Sequence, residues 1–196
     1  SNNAFGYKSL TSNTTGSNNT AYGQQSLFYN TTGDFNTASG AYSLGTNTTG
    51  SNNTAYGYQS LKFNTTGSDN TAFGYDALGT NTEGSNNTVY GQQSLFYNTT
   101  GSFNTASGAY SLGANTTGSS NTAYGIFSLL TNKTGSYNTA FGYNATASTD
   151  NATNQTVIGH EATGQADNSV VLGNDDVTAV YMGEDSGATV YAASFV

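Results

Sequence analysis

Residues 17–33 read SNNTAYGQQSLFYNTTG, and residues 85–101 read SNNTVYGQQSLFYNTTG. Between them lie three looser versions of the same 17-residue unit, and others flank them on both sides. Glycines of an aromatic-Gly or Ser-Gly step fall at Gly6, Gly23, Gly40, Gly57, Gly74, Gly91, Gly108, Gly125 and Gly142, always one unit length apart. A second glycine column starts at Gly16, a leucine column at Leu10 and an asparagine column at Asn13, all on that period. Segment 34–50 also returns at 102–118, so a block of four units is duplicated in tandem. A fixed short period of this kind is the signature of a stacked repeat architecture.

The unit is too short for a helical repeat, and its glycines, asparagines and threonines are poor helix formers. It has room for two short strands, Thr-Ala-aromatic and Ser-Leu-x-x. They are separated by turns, the longer being Asn-Thr-Thr-Gly-Ser, whose residues tolerate tight or left-handed backbone. The expected fold is therefore all-β: a parallel β-roll or solenoid of 17-residue coils. Equivalent residues would stack about 4.8 Å apart, so nine coils would make a rod of roughly 40 Å.

Stacking turns columns into ladders. The asparagine column is expected to hydrogen-bond along the axis, as Asn ladders do in cross-β assemblies. The column Ala21, Ala38, Ala55, Ala72, Val89, Ala106, Ala123 and Ala140 admits only small residues, which marks tight packing or a contact between chains. The next column carries Phe or Tyr except at Ser39 and Ser107, where a ring stands four residues earlier, at Phe35 and Phe103. That exchange suggests volume compensation in a packed interior. One Leu and one ring per coil bury little surface against the entropy of ordering the whole coil, so self-association along the small-residue face is expected.

Composition narrows the function classes. Charged residues make up 7% of the chain, and 13% are aromatic. Regularly spaced rings argue against disorder. There is no cysteine and no proline, so neither disulfides nor thiolate metal sites are available and no backbone N–H is lost to a ring. Residues 1–149 hold four acids against Lys8, Lys62 and Lys133, whereas residues 150–196 hold seven acids and no lysine or arginine. Three lysines cannot supply a phosphate-binding surface, so no nucleic-acid partner is expected. No apolar run approaches the roughly 20 residues of a membrane span, so no membrane insertion is expected from this segment. The division is a 17-residue-repeat shaft over 1–149, followed at 150–196 by acidic coils and a terminal transition segment.

The unit Asn-Thr-Ala-aromatic-Gly resembles the Asn-Ser-Val-Ala-Ile-Gly signature of trimeric autotransporter adhesin heads of the YadA type. The nearest matches are NQTVIG at 154–159 and NSVVLG at 168–173, whose glycines, Gly159 and Gly173, are fourteen positions apart. Fourteen is that family's unit length, and the three extra residues of the main repeat fall in the Asn-Thr-Thr turn. The resemblance implies left-handed parallel β-rolls intertwined or packed as a homotrimer. Residues 174–196, NDDVTAVYMGEDSGATVYAASFV, are similar to the segment that precedes the self-cleaving chaperone domain of phage tail fibres and tailspikes. That similarity implies a phage tail-fibre or appendage shaft on the virion, with Val196 near a processing point. The alternatives are an extracellular adhesin head on a bacterial surface and an ice-binding solenoid built on Thr ladders. The paired threonines are adjacent and sit in the inferred turn, which weighs against the last of these.

No catalytic constellation is legible, and neither enzymatic activity nor a cofactor is expected. His160 beside Glu161 is the one His–carboxylate neighbour pair, and neighbours on a strand face opposite ways. Asp175–Asp176 lacks the further spaced ligands a cation needs, so no metal site is assigned. Asn-x-Thr triplets match the glycosylation sequon but recur automatically in this repeat, and structural ladders explain them. The remaining candidates are aromatic. Phe28, Tyr29, Phe96 and Tyr97 follow the leucine column where other units carry Gly, Lys or Thr. Tyr42 and Tyr110 share a column with Lys8, Gln25 and Asp76, so that column is expected to be wet. Such rings can stack on sugars, and a host cell-surface glycan or protein receptor is the expected partner.

Overall fold

The computed structural model describes residues 1–180 and shows a parallel β-solenoid of about ten turns. The transition segment expected at 174–196 lies largely outside the described residues, as does Val196. Each coil contributes one three-residue strand. The first six are β1 (Asn3–Phe5), β2 (Thr20–Tyr22), β3 (Thr37–Ser39), β4 (Thr54–Tyr56), β5 (Thr71–Phe73) and β6 (Thr88–Tyr90). The rest are β7 (Thr105–Ser107), β8 (Thr122–Tyr124), β9 (Thr139–Phe141), β10 (Thr156–Ile158) and β11 (Val170–Leu172). They form one parallel sheet in sequence order, each in register with its neighbours. At the usual strand spacing its length is about 48 Å.

The second expected strand does not form. Ser-Leu-x-x instead makes two successive turns: Ser26 N donates to Gly23 O at 3.3 Å, and Asn30 N to Leu27 O at 3.2 Å. The leucines sit in the left-handed region, Leu27 at φ 49° and Leu61 at φ 50°, which curls the backbone round the side chain. Burial of that side chain offsets the conformational cost. Leu27, Leu44, Leu61, Leu78, Leu95, Leu112 and Leu129 are all fully buried.

The interior of each coil is half polar. The asparagine column forms the expected ladder: Asn47 Nδ2 donates to Asn30 Oδ1 at 2.7 Å, and Asn64 Nδ2 to Asn47 Oδ1 at 2.8 Å. Each amide also donates to a glycine carbonyl three residues on, as Asn64 does to Gly67 at 2.8 Å. Burial of Asn30, Asn47 and Asn64 agrees with the ladder reading of the sequon triplets. A second ladder runs through Asn19, Asn36, Asn53 and Asn70, whose Oδ1 atoms accept from the backbone N–H of the next coil, as at Asn53 to Asn36, 3.0 Å. Among the described residues no buried side-chain N or O lacks a partner. This matters because each orphaned group would cost about 1–3 kcal/mol.

Backbone bonds join neighbouring coils outside the strand as well. Thr48 O accepts from Thr31 N at 3.0 Å, Thr32 N at 3.1 Å and Gly33 N at 3.3 Å, and from Thr31 Oγ1 at 2.9 Å. The Asn-Thr-Thr-Gly turn thus gathers four donors on one carbonyl. The 14-residue coil has no such turn. Thr146 still pairs with Thr163 at an offset of 17, but Thr153 N meets Asp167 Oδ1 at an offset of 14. The three missing residues are those of the Asn-Thr-Thr turn. Where the asparagine column ends at Asn132, the longer Gln155 fills the interior, fully buried, with its Oε1 accepting from Ser148 N at 3.0 Å.

Of the two readings of the alanine column tight packing holds, and the expectation of an interior ring column is corrected. The alanine column, Ala21, Ala38, Ala55, Ala72, Val89, Ala106, Ala123 and Ala140, points inward with at most 1% exposure. Side chains sealed inside the coil pack tightly but cannot touch a second chain. The ring column points outward instead, because strand residues alternate faces and the alanine between Thr and the ring takes the inner one. Phe35 and Phe103 lie on an exposed turn at φ 56° and 60°, so no compensation of interior volume occurs.

Candidate functional site

The six aromatic candidates fall into two clefts. Gln25, Phe28, Tyr29, Tyr42, Gly45, Thr46 and Lys62 line the first, of about 230 Å³. Gln93, Phe96, Tyr97, Tyr110, Gly113, Ala114 and Leu130 line the second, of about 210 Å³. Each cleft arises because the column that carries Phe28 and Phe96 switches to glycine in the next coil, at Gly45 and Gly113, leaving a gap bordered by rings.

The Phe–Tyr pair geometry repeats. Phe28 and Tyr29 meet edge to face at 4.4 Å and 81°, and Phe96 and Tyr97 at 4.8 Å and 77°. Tyr42 and Tyr110 sit at left-handed turn positions, φ 62° and 58°, and are half-buried rather than fully wet. Their hydroxyls accept from Gln24 Nε2 at 3.3 Å and Gln92 Nε2 at 3.4 Å. The first cleft alone carries a cation, with Lys62 Nζ 5.9 Å from the Tyr42 ring centroid.

No family model, curated protein or solved structure matches this chain.

A second surface feature was not legible as a surface in the sequence: the outward ring column of the strands. Phe5 stacks on Tyr22 at 5.0 Å, Tyr56 on Phe73 at 5.6 Å, Phe73 on Tyr90 at 5.3 Å and Tyr124 on Phe141 at 5.7 Å. Ile158 and Leu172 continue it. Tyr22, Tyr56 and Tyr124 are more than half exposed. The signal was present in the Thr-Ala-aromatic alternation, since only one of the two apolar columns can face inward.

Asp76 is the one carboxylate among the described residues set into the wall of the coil. Burial raises its pKa, opposed by a hydrogen bond from Gln93, the charge of Lys62 and a hydrogen bond from Tyr75. With the Gln59 amide oriented so that its nitrogen donates to Asp76 Oδ1 (2.9 Å), its oxygen accepts from Lys62 Nζ (3.0 Å). A carboxyl whose folded pKa is raised holds its proton more tightly folded than unfolded, so its contribution to stability falls as pH rises through that window. Asp76→Asn is expected to raise the melting temperature at neutral pH. The gain should vanish once pH drops below the ordinary carboxylate range, as followed by thermal melts across pH.

His160 and Glu161 lie on an exposed turn, 3.9 Å apart, and His160 stacks on Tyr143 at 5.4 Å. Among the described residues no group of three His, Cys, Asp or Glu is placed to hold a metal ion.

Proposed function

We propose that this chain is a rigid structural segment of a phage tail fibre or appendage, a homotrimeric shaft that supports attachment to the host surface and carries no catalysis. The observation that supports it is the stacked ring column on the outer face of an all-parallel sheet. Parallel sheets ordinarily have both faces covered. Here the inner face covers the alanine and leucine core, while the outer face presents a stripe of rings along the rod, broken at Ser39 and Ser107. An apolar stripe of that length marks an interaction surface. A chain closed by hydrogen bonds between its coils needs no partner to satisfy its backbone, so association proceeds through side chains on this face. Its threonine column, Thr20 to Thr156, flanks the rings and adds polar contacts. A bacterial surface adhesin would use the same face, and the membrane or virion element attached to the rod distinguishes the two.

The outward threonine column, exposed at Thr20 and half-buried at Thr54 and Thr122, favours one further reading, an ice-binding face, because it is a regular ladder. Its neighbour two residues on is a ring rather than a second threonine, which sets the shaft first.

Light scattering at several concentrations tests the shaft. A stable mass near three times the 20.2 kDa of one chain is expected. Tyr56→Ser, Phe73→Ser and Tyr90→Ser together should yield a folded monomer, since Ser39 and Ser107 already occupy that column. A wild-type monomer at all concentrations would exclude the trimer.

A further inference from the structure

The two aromatic clefts are equivalent in lining and lie four coils apart, which places them about 19 Å from each other along the rod. In both, the coil that supplies the central tyrosine is stripped of bulk elsewhere. Ser39, Gly40 and Ala41 precede Tyr42, and Ser107, Gly108 and Ala109 precede Tyr110, so that coil adds no other ring beside the tyrosine. The next coil supplies one neighbour, Tyr58 edge-on to Tyr42 at 5.9 Å and Phe127 stacked on Tyr110 at 5.6 Å.

Divergence within the duplicated block is uneven. The cleft-bearing half, 17–50 against 85–118, differs at 3 of 34 positions, whereas the following half, 51–84 against 119–152, differs at 15 of 34. Both halves carry the same fold and the same interior Asn columns over most of their length, so the coil alone does not require the first half to stay so uniform. Within the cleft linings the differences are at the rims, Thr46 against Ala114 and Lys62 against Leu130, and beyond them Phe127, which stacks on Tyr110 at 5.6 Å, stands where the first copy has Gln59. The lining rings, the lining glutamines and the glycine floors are identical.

We propose that the two clefts are paired subsites for one linear hexose polymer lying along the rod. The chemistry fits that class. Open clefts walled by Tyr and Phe offer ring faces to the C–H faces of a sugar, while Gln25 or Gln93 and the tyrosine hydroxyls offer donors and acceptors to its hydroxyl groups. The sites hold no carboxylate, and the second holds no charge, which suits a neutral ligand. Each cleft is small and shallow, so one alone binds weakly. Two clefts at a fixed spacing on a rigid rod engage a polymer together, and such pairing strengthens binding by about 10²–10⁴-fold over one site.

The test is binding of the intact chain to a panel of neutral and acidic hexose oligosaccharides of increasing length, by surface plasmon resonance. A member of the panel is expected to bind, with a sharp gain in affinity once its length reaches both clefts. Tyr42→Gln or Tyr110→Gln alone should abolish that gain, and the double variant should abolish binding. Its circular dichroism should not change, because Gln25, Gln59 and Gln93 occupy the same column at the same left-handed geometry. Absence of binding across the panel, binding that survives the double variant, or affinity independent of length would each overturn the proposal. Native mass plays no part in this readout, so the proposal and the shaft reading can fail separately.

Discussion

Asn64→Leu is expected to destabilise the solenoid by roughly 2–4 kcal/mol, although leucine has nearly the shape of asparagine. Asn64 sits in the middle of the interior ladder. Its Nδ2 satisfies Asn47 Oδ1 at 2.8 Å and shares Gly67 O, while its Oδ1 accepts from Asn81 Nδ2 at 2.8 Å. Leucine would leave Asn47 Oδ1 with no donor and Asn81 Nδ2 with only its bond to Gly84 O, 2.8 Å. Both side chains are fully buried. Because stability in a stacked repeat is close to a sum of nearest-neighbour terms, the loss falls on one interface. Urea titration should therefore show a lower midpoint and a broadened or split transition. Asn13→Leu, at the partly exposed start of the same ladder, should cost much less because water can replace the lost partner. Equal losses at the two positions would contradict the ladder as the source of stability.

Gly57→Ala is expected to be as damaging for a different reason, at about 3 kcal/mol or more. The glycines from Gly6 to Gly159 in this column have φ between 126° and 143°, a region that is essentially closed to residues with a side chain. A methyl group on Gly57 would also stand 2.8 Å from the carbonyl carbon of Gly74, in backbone that is itself fixed by the next coil. The sharp bend after each ring depends on this residue. Gly45→Ala supplies the contrast. Its φ is not left-handed, its nearest neighbour would be Tyr42 O at 3.1 Å, and other coils place Phe28 or Lys62 in that column. A cost below about 1 kcal/mol is expected there. Chemical denaturation of the two variants side by side separates backbone necessity from mere smallness.

The two effects describe a fold held by its periodicity rather than by a large apolar core. The fully buried apolar side chains of the repeats are Leu and Ala, with Val89 and Val157 the larger residues in the alanine column, so hydrophobic burial per coil is modest. Hydrogen bonds between successive coils, made by both backbone and Asn amides, supply order along the axis. The rings are left over for the surface, where they form the strand ridge and the two clefts.

Much of this was legible in the residues alone, and the reason is physical. A strict 17-residue period forces equivalent residues into columns, and a column of Asn or Gly is interpretable without coordinates. The parallel solenoid, the Asn13–Asn132 ladder and the turn that vanishes in the 14-residue coil all follow from spacing. The pairing of Phe28 and Tyr29 with Phe96 and Tyr97 as equivalent positions follows from the duplication of the four-unit block. Which way a column faces did not follow. Thr-Ala-aromatic offers two apolar columns to one interior, and only the path of the backbone decides that alanine enters and the ring stays out. Ser-Leu-x-x has the composition of a strand, yet burial of Leu27 and its equivalents draws the leucine into a left-handed turn that local propensity disfavours. The Asn19 ladder was hidden because its value lies in accepting from the backbone of the neighbouring coil, a contact that exists only after stacking. Tertiary structure also joined residues from three successive coils, Tyr29, Tyr42 and Lys62, into one cleft, since proximity across coils depends on the shape of the turn and not on the period.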